Sequence, residues 1–289
     1  MTALRDLARA KINLTLEVLG RRGDGFHELT SLVAFANFGD DIELVPDDRL
    51  ELHVEGPFAA ALGGDNLILE AASAARELVP KLKLGRFRLN KALPVAAGLG
   101  GGSADAAAAL RLIARANAVL LPGSVLAELA PKLGSDVSVC LKSKPALVTG
   151  RGETVEIVSG FPSCGVVLVN PGRELATQAV YAALHAKPLR VPPDRRGQNL
   201  DFRRDFAALI AYARPRRNDL EAPAANLVPE IRDVLAALSA LQGVHLARLS
   251  GSGPTCFALF ASEAEAKRTA ARLTADYPAW WIAAGALEF

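Results

Sequence analysis

The residues best suited to chemistry stand in one run, Pro94-Val-Ala-Ala-Gly98-Leu-Gly100-Gly-Gly-Ser103-Ala-Asp105, in which four of the five positions from Gly98 to Gly102 are glycine. Without Cβ atoms, backbone N–H groups can converge on a bulky anion, and a helix starting beyond the loop adds its first-turn amides and the positive end of its dipole. Ser103 is expected to cap that helix. The chemistry is that of a phosphate cradle, and the competing reading is a tight strand-to-helix turn. A Walker A loop needs Lys directly after its last glycine, where Ser103 stands. The dinucleotide fingerprint G-x-G-x-x-G, started at Gly98, fails at Ser103 too, and the stretch Ala118 to Leu121, where its acidic residue belongs, is apolar. His-Arg-Asp and Asp-Phe-Gly, the protein-kinase signatures, do not occur.

Such a cradle needs charged company. Lys11 and Asn13 share the polar side of an alternating segment. An ammonium can neutralise a transferring phosphoryl group or polarise an attacking hydroxyl, although a solvated strand edge would look the same. Asp136 follows Gly134-Ser135. It is a simple turn residue or, held close to a Lys, an ionised base able to accept a hydroxyl proton. A second glycine-rich run, Leu249-Ser-Gly251-Ser-Gly253-Pro-Thr-Cys-Phe257, lies about 150 residues after the first.

The elements that must position these residues follow from periodicity. From Ala10 to Val18, apolar residues alternate with Lys11, Asn13, Thr15 and Glu17, which predicts a half-buried strand. Gly20 to Gly25 reads as a loop, and strands are expected at Ser31–Phe38, Asp41–Val45 and Leu50–Val54. A helix over Asn66–Val79 stops at Pro80, and a strand over Arg86–Leu93 runs into the glycine loop. An Ala/Leu-rich helix from near Ser103 ends before Pro122, and another spans Ser124–Leu133. Short strands are expected at Val137–Leu141 and Ala146–Thr149. Turn residues at Gly150-Arg-Gly152 and Ser159-Gly-Phe-Pro162 set a domain boundary that gives 1–158 and 159–289. Beyond it come a strand at Gly165–Asn170, helices near Thr177–His185, Phe202–Arg214 and Pro229–Leu241, and a strand-loop-strand over Leu246–Phe260. A helix over Glu263–Tyr277 and a terminal strand close the chain, and Pro/Arg-rich Arg190–Gln198 reads as an exposed connection.

With 289 residues, 51% hydrophobic and 22% charged, the chain has the make-up of a globular mixed α/β protein of two lobes. A formal charge of +2 argues against nucleic acid or membrane as a partner held by bulk electrostatics. Cys140, Cys164 and Cys256 are scattered, which suits buried thiols rather than a disulfide framework or zinc site. Arg5, Asp6, Arg9 and Lys11 leave no room for a signal-peptide core, and no apolar run is long enough to span a bilayer. The expectation is a soluble cytoplasmic protein.

Pro94-x-x-x-Gly98-Leu-Gly100 before a helix, with the later run Leu249–Phe257, resembles the second and third motifs of the GHMP kinases, the galactokinase, homoserine, mevalonate and phosphomevalonate kinase superfamily. Ala10-Lys-Ile-Asn-Leu14, Gly20-Arg-Arg-Gly-Asp-Gly-Phe-His-Glu-Leu29, Asp65-Asn-Leu-Ile68, Asn90-Lys-Ala-Leu-Pro94 and Leu133-Gly-Ser-Asp-Val137 are similar to the branch that phosphorylates a cytidine-diphosphate-linked methylerythritol. The resemblance implies an α+β fold with an N-terminal ribosomal-protein-S5-domain-2-like ATP lobe and a C-terminal ferredoxin-like lobe. It implies ATP and Mg²⁺, with no residue assigned as a metal ligand, and a monomer or weak homodimer. It implies Lys11 and Asp136 as the catalytic couple, with Asp136 as base. Around the nucleotide it implies Asn66, Leu67 and Lys91 near adenine and ribose, with Pro94, Val95, Ala96, Ala97, Gly98, Leu99, Gly100, Gly101, Gly102, Ser103 and Ala104 about the phosphates. For the substrate it implies Asn13, Phe26, His27, Thr177 and Tyr181. The family usually has Tyr where this chain has Phe26, which keeps the stacking face and drops the hydroxyl; Val33 stands where some relatives place Phe.

Three other readings are open to the sequence. A homoserine- or mevalonate-type kinase would share the loops and lack the Gly-Asp-Gly-Phe-His segment. A non-catalytic nucleotide-binding module would keep the glycines and have lost Lys11 or Asp136, and both are present. A nucleic-acid binder is prompted by Arg195-Arg196, Arg203-Arg204 and Arg214 to Arg217, but acids alternate with these basic residues, as on a solvated surface.

Overall fold

The computed structural model describes residues 2–64, 66–117, 121–190 and 199–288. Along the chain run β1 (Leu4–Asn13), β2 (Glu17–Arg21), β3 (His27–Val45), β4 (Leu50–Glu55), α1 (Leu67–Leu78), β5 (Gly85–Asn90), α2 (Gly101–Ala116), α3 (Gly123–Leu133), α4 (Val137–Lys142), β6 (Ala146–Gly150) and β7 (Thr154–Ile157). Then come β8 (Cys164–Asn170), α5 (Thr177–Ala183), α6 (Phe206–Ala213), α7 (Glu221–Leu227), α8 (Glu230–Ser239), β9 (Leu246–Leu249), β10 (Cys256–Phe260), α9 (Glu263–Asp276) and β11 (Trp281–Leu287). Asp65 and most of the connection expected at Arg190–Gln198 lie outside the described residues. Among the described residues no helix is long and apolar enough to cross a membrane.

The chain forms two compact units: Met1–Ala10, Phe38–Val95 and Gly100–Ser143 make the first, and Lys11–Asn37, Ala96–Leu99 and Lys144–Phe289 the second. The boundary read at 158/159 therefore does not match this division, because β1 and β3 each pass through both units.

In the first unit, β4 and β5 pair in parallel, and β5 pairs antiparallel with the end of β3, Asp41 opposite Asn90. A parallel pair needs a crossover, which α1 supplies. Helix α1 packs on α2, and α2 on α4. Buried Ala104 and Ala106 to Ala109 let neighbours close around α2, so this helix, entered straight from the glycine loop, is a rigid part of the core.

In the second unit, β11, β8, β10 and β9 lie in that order, antiparallel throughout. With α5–α8 between β8 and β9, and α9 between β10 and β11, this is the ferredoxin-like β-α-β-β-α-β plan. Every residue of β8 is buried, and Val167 and Val169 share a core with Val180, Ile231, Val234, Leu249, Phe260 and Leu273. Strand β3 continues the unit, pairing with β2 and β6, and placing Ala36 opposite Leu287.

Several elements depart from the sequence reading. The strand expected through Val18 ends at Asn13, because Ser31 Oγ donates to the Thr15 carbonyl and Thr15 Oγ1 accepts from Leu32 N–H, replacing ladder bonds with side-chain ones. The two strands expected on either side of Gly39-Asp40 are a single strand, β3. A Cβ on Gly39 would lie 2.0 Å from the Ala8 carbonyl oxygen, so this glycine serves a close strand approach and not a turn. Val137–Leu141, expected as strand, is helix α4. Helix α2 starts at Gly101, with Gly100 at a φ of +63° in the cap position, so Ser103 lies inside the helix and does not cap it.

Candidate active site

The first unit holds the start of α2, Asn66, Leu67, Lys91 and Asp136. The first intrahelical bond of α2 runs from Ala104 N–H to the Gly100 carbonyl. The preceding amides of Gly101, Gly102 and Ser103 have no partner inside the helix, the usual state of a helix start and the one that suits anions. Gly102 is exposed, and Gly101 and Ser103 are half-buried. Asn66 caps α1, its Oδ1 accepting from Ile68 N–H at 2.9 Å.

Behind this helix start lies a buried group of charges that the sequence did not reveal as a unit. Lys91 Nζ donates to Asp40 Oδ2 at 2.6 Å and to Asp105 Oδ2 at 2.7 Å, with all three side chains at most 5% exposed. Asp40 Oδ1 accepts from Ala92 N–H at 2.6 Å and Leu93 N–H at 2.8 Å. Burial pushes the Asp105 carboxyl up to about 7 against the pull of Lys91, with the nearby Asp40 charge adding to the rise. Burial alone would lower the Lys91 ammonium, but Asp105 and Asp40 outweigh it and hold the group above its ordinary value. The sequence reading sets Lys91 near adenine and ribose; the structure gives its ammonium two carboxylates inside the unit. Asp136 is half-buried immediately before α4, and its side chain makes no cap bond to that helix. Arg111 on α2 fixes α4 by donating to the Cys140 carbonyl at 2.8 Å while its Nε holds Asp6 at 2.9 Å.

The second unit holds Lys11, Asn13, the loop stretch Ala96–Leu99, and the turn from Ser250 to Gly253. These pack backbone on backbone. Lys11 N–H donates to the Leu99 carbonyl at 2.9 Å, Ser250 Oγ to the Gly98 carbonyl at 3.0 Å, and Thr255 N–H to the Ala97 carbonyl at 3.3 Å. Gly98 has a φ of +74°, and a Cβ there would lie 2.4 Å from the Ser250 carbonyl oxygen. The two glycine-rich runs noted in the sequence are thus complementary surfaces. Asn218, which no sequence motif marked, fixes the second run by donating to the Leu249 and Gly251 carbonyls at 2.9 and 2.8 Å.

Residues expected at the substrate also fall in this unit. His27 and Tyr181 stack with ring centroids 4.8 Å apart, so strand β3 and helix α5 bring together two side chains 154 positions apart in sequence. Burial, helped by Arg21, lowers the His27 pKa and favours the neutral ring. Phe26 is exposed and carries the Arg151 guanidinium 4.8 Å over its ring. Thr177 Oγ1 bonds Ser252 Oγ at 2.8 Å. Asn13 donates to Ser31 Oγ at 2.7 Å, and its Oδ1 is buried with no hydrogen-bond partner among the described residues. Among those residues no group of three or more His, Cys, Asp or Glu is placed to hold a metal ion.

Residues 66–144 match the family model for the GHMP kinases N terminal domain, and residues 201–279 that for GHMP kinases C terminal. The chain is 47% identical over 298 residues to a 4-diphosphocytidyl-2-C-methyl-D-erythritol kinase of Bradyrhizobium sp. (strain BTAi1 / ATCC BAA-1182), covering 99% of this chain and 97% of the relative. It is 48% identical to the protein of the same name from Rhodopseudomonas palustris (strain HaA2), covering 99% of each. Among solved structures, a 4-(cytidine 5'-diphospho)-2C-methyl-D-erythritol kinase superposes with a TM-score of 0.76 at 34% identity, over 99% of this chain and 100% of the other. A homoserine kinase from Cytophaga hutchinsonii superposes with a TM-score of 0.73 at 18% identity, over 99% of this chain and 95% of the other, a likeness of fold.

Proposed function

The chain belongs to the 4-diphosphocytidyl-2-C-methyl-D-erythritol kinase family of the GHMP kinases, and from that premise we propose how its residues carry the reaction. The γ-phosphoryl of ATP moves to the 2-hydroxyl of 4-diphosphocytidyl-2-C-methyl-D-erythritol, giving the 2-phosphate and ADP on the non-mevalonate route to isoprenoid precursors. The observation that carries the reading is the start of α2 at Gly101, where three successive amides precede the first helical bond. The phosphates of ATP lie at the loop Pro94–Ala104, with Asn66 and Leu67 toward adenine and ribose.

Asp136 accepts the proton of the 2-hydroxyl as its oxygen attacks the γ-phosphorus, and the bond to the bridging oxygen of ADP breaks in line. Lys11 offsets the charge carried by the transferring group. Such a transfer asks little covalent chemistry of the protein, so positioning and charge stabilisation supply most of the acceleration. Mg²⁺ supplies charge neutralisation on the phosphate oxygens when bound. The described residues offer it no carboxylate cluster, and Asp105 is already committed to Lys91.

At the other end of the substrate, His27, Tyr181 and Phe26 offer ring faces and a neutral imidazole to the cytosine. Arg151 against Phe26 holds that ring where the family has a tyrosine. The unpartnered Asn13 Oδ1 suits a hydroxyl of the erythritol, since a buried acceptor without a donor is costly to leave unmade. Thr177, bonded to the Ser252 hydroxyl, adds a further polar group for the substrate.

A coupled ADP-release assay with the cytidine-linked substrate, the uncapped methylerythritol phosphate, homoserine and mevalonate tests the assignment. Turnover only with the cytidine-linked alcohol is expected. Equal turnover with the uncapped phosphate, or faster turnover with homoserine or mevalonate, would overturn it in favour of another GHMP kinase activity.

A further inference from the structure

We propose that Asp40, Lys91 and Asp105 are positioning residues for the nucleotide: a buried clamp of three charges that fixes the first amides of α2 without touching ATP. It deepens the reading above and rests on the phosphates lying at that helix start.

The geometry lies wholly within the first unit. Asp40 is the hub, since its Oδ1 takes both backbone N–H groups where β5 gives way to the loop, Ala92 and Leu93, while its Oδ2 takes the Lys91 ammonium. The same ammonium reaches Asp105, the fifth residue of α2. Strand exit and helix entry are therefore joined through one nitrogen. A Cβ on Gly101 would sit 3.1 Å from that nitrogen and 3.9 Å from Asp40 Oδ2, so the first residue of the helix lies directly over the clamp. Any shift of Lys91 is a shift under the Gly101 amide.

Packing alone does not call for such an arrangement. Burying an ion pair is expensive, and apolar residues of similar volume usually stabilise a core at least as well. The charge balance also suits a phosphate neighbour. Two carboxylates against one ammonium would leave a net negative charge behind the loop. Burial and the adjacent Asp40 raise the Asp105 carboxyl above its ordinary value, which lessens that charge. Asp105 Oδ1 has no hydrogen-bond partner among the described residues, which further disfavours its ionised form.

Calorimetric titration with Mg·ATP, without alcohol substrate, is the test on the wild type, Asp105→Asn, Lys91→Met and the double variant. Each single change is expected to raise the ATP Kd at least fivefold, and the double variant to lie within twofold of the worse single one. The KM for the cytidine-linked substrate at saturating ATP should stay within twofold of wild type, which a general loss of structure would not allow. If Lys91 met the nucleotide itself, Asp105→Asn would bind ATP nearly as wild type and the two losses would not depend on each other. A rise below fivefold in Asp105→Asn, or losses that multiply in the double variant, overturns the clamp. Should Asp105→Asn fail to fold, Lys91→Met/Asp105→Leu removes the pair together and is read against the same fivefold threshold. A wild type that binds no ATP would instead sink the kinase reading.

Discussion

Gly98→Ala is the sharpest perturbation the structure offers. The added methyl meets two separate penalties. Glycine holds a φ of +74° there, a left-handed backbone that costs an alanine about 1 to 2 kcal/mol. The Cβ would also lie 2.4 Å from the Ser250 carbonyl oxygen and 2.8 Å from the nitrogen and oxygen of Gly253, all backbone atoms that no rotamer change can move. Relief requires the turn from Ser250 to Gly253 to withdraw, which breaks the bonds from Ser250 Oγ to the Gly98 carbonyl and from Thr255 N–H to the Ala97 carbonyl, at about 1 kcal/mol each. The expected loss is about 3 to 4 kcal/mol, or on the order of 10 °C in the thermal midpoint. Gly102→Ala is the internal control. Its Cβ would meet only the flexible end of Leu67, at 3.4 Å, and its φ is not left-handed. In a helix this change gains up to about 1 kcal/mol. Equilibrium denaturation of the two variants beside wild type reads both. A Gly98→Ala protein within about 1 kcal/mol of wild type would refute the claim that the two glycine runs are locked by backbone contact.

Asp136→Asn, purified and folded, should lose roughly 10² to 10⁴ in kcat, the usual worth of a positioned base, as measured by ADP release at saturating substrates; near-wild-type turnover would remove it from that role. Asp105 gives a prediction in pH. Its carboxyl is raised from the ordinary 3.8 to about 7, so between those values the folded chain holds a proton that the unfolded chain has released. The stability of the wild type relative to Asp105→Asn should therefore fall as pH rises through that window, by denaturant titration at several pH values, and a flat difference would show that Asp105 ionises normally.

How much of this was legible depends on whether a residue acts through its neighbours in sequence or across the fold. The glycine loop, α1 and the strands of the ferredoxin-like unit could be read because periodicity and turn residues are local signals. Helix α4 was misread because Val137, Val139 and Leu141 alternate over a stretch too short to tell a period of two from one of 3.6; burial of Val137 with Cys140 belongs to the helix. The start of α2 was misplaced by two residues because glycines carry no signal of where helical backbone begins, and Gly100 took the cap position expected of Ser103. Asp40 was invisible as a functional residue. It follows Gly39 like a turn residue, and only the approach of Ala8 shows that the strand continues and that the Asp40 carboxylate points inward. Asn218 and Arg151 likewise act on backbone or rings far away in sequence, for which no spacing rule exists.

Strand β8 has neighbours on both sides, β10 and β11, and every element from α5 to α9 lies between β8 and β11 along the chain. Until β11 docks, one flank of this fully buried strand, and the place opposite Ala36 in β3, stay unpaired. Unpaired strand edges of that kind invite association with other chains. A chain in which β11 has not docked is thus the vulnerable form, and a variant truncated ahead of Trp281 would be prone to self-association rather than a merely shortened enzyme.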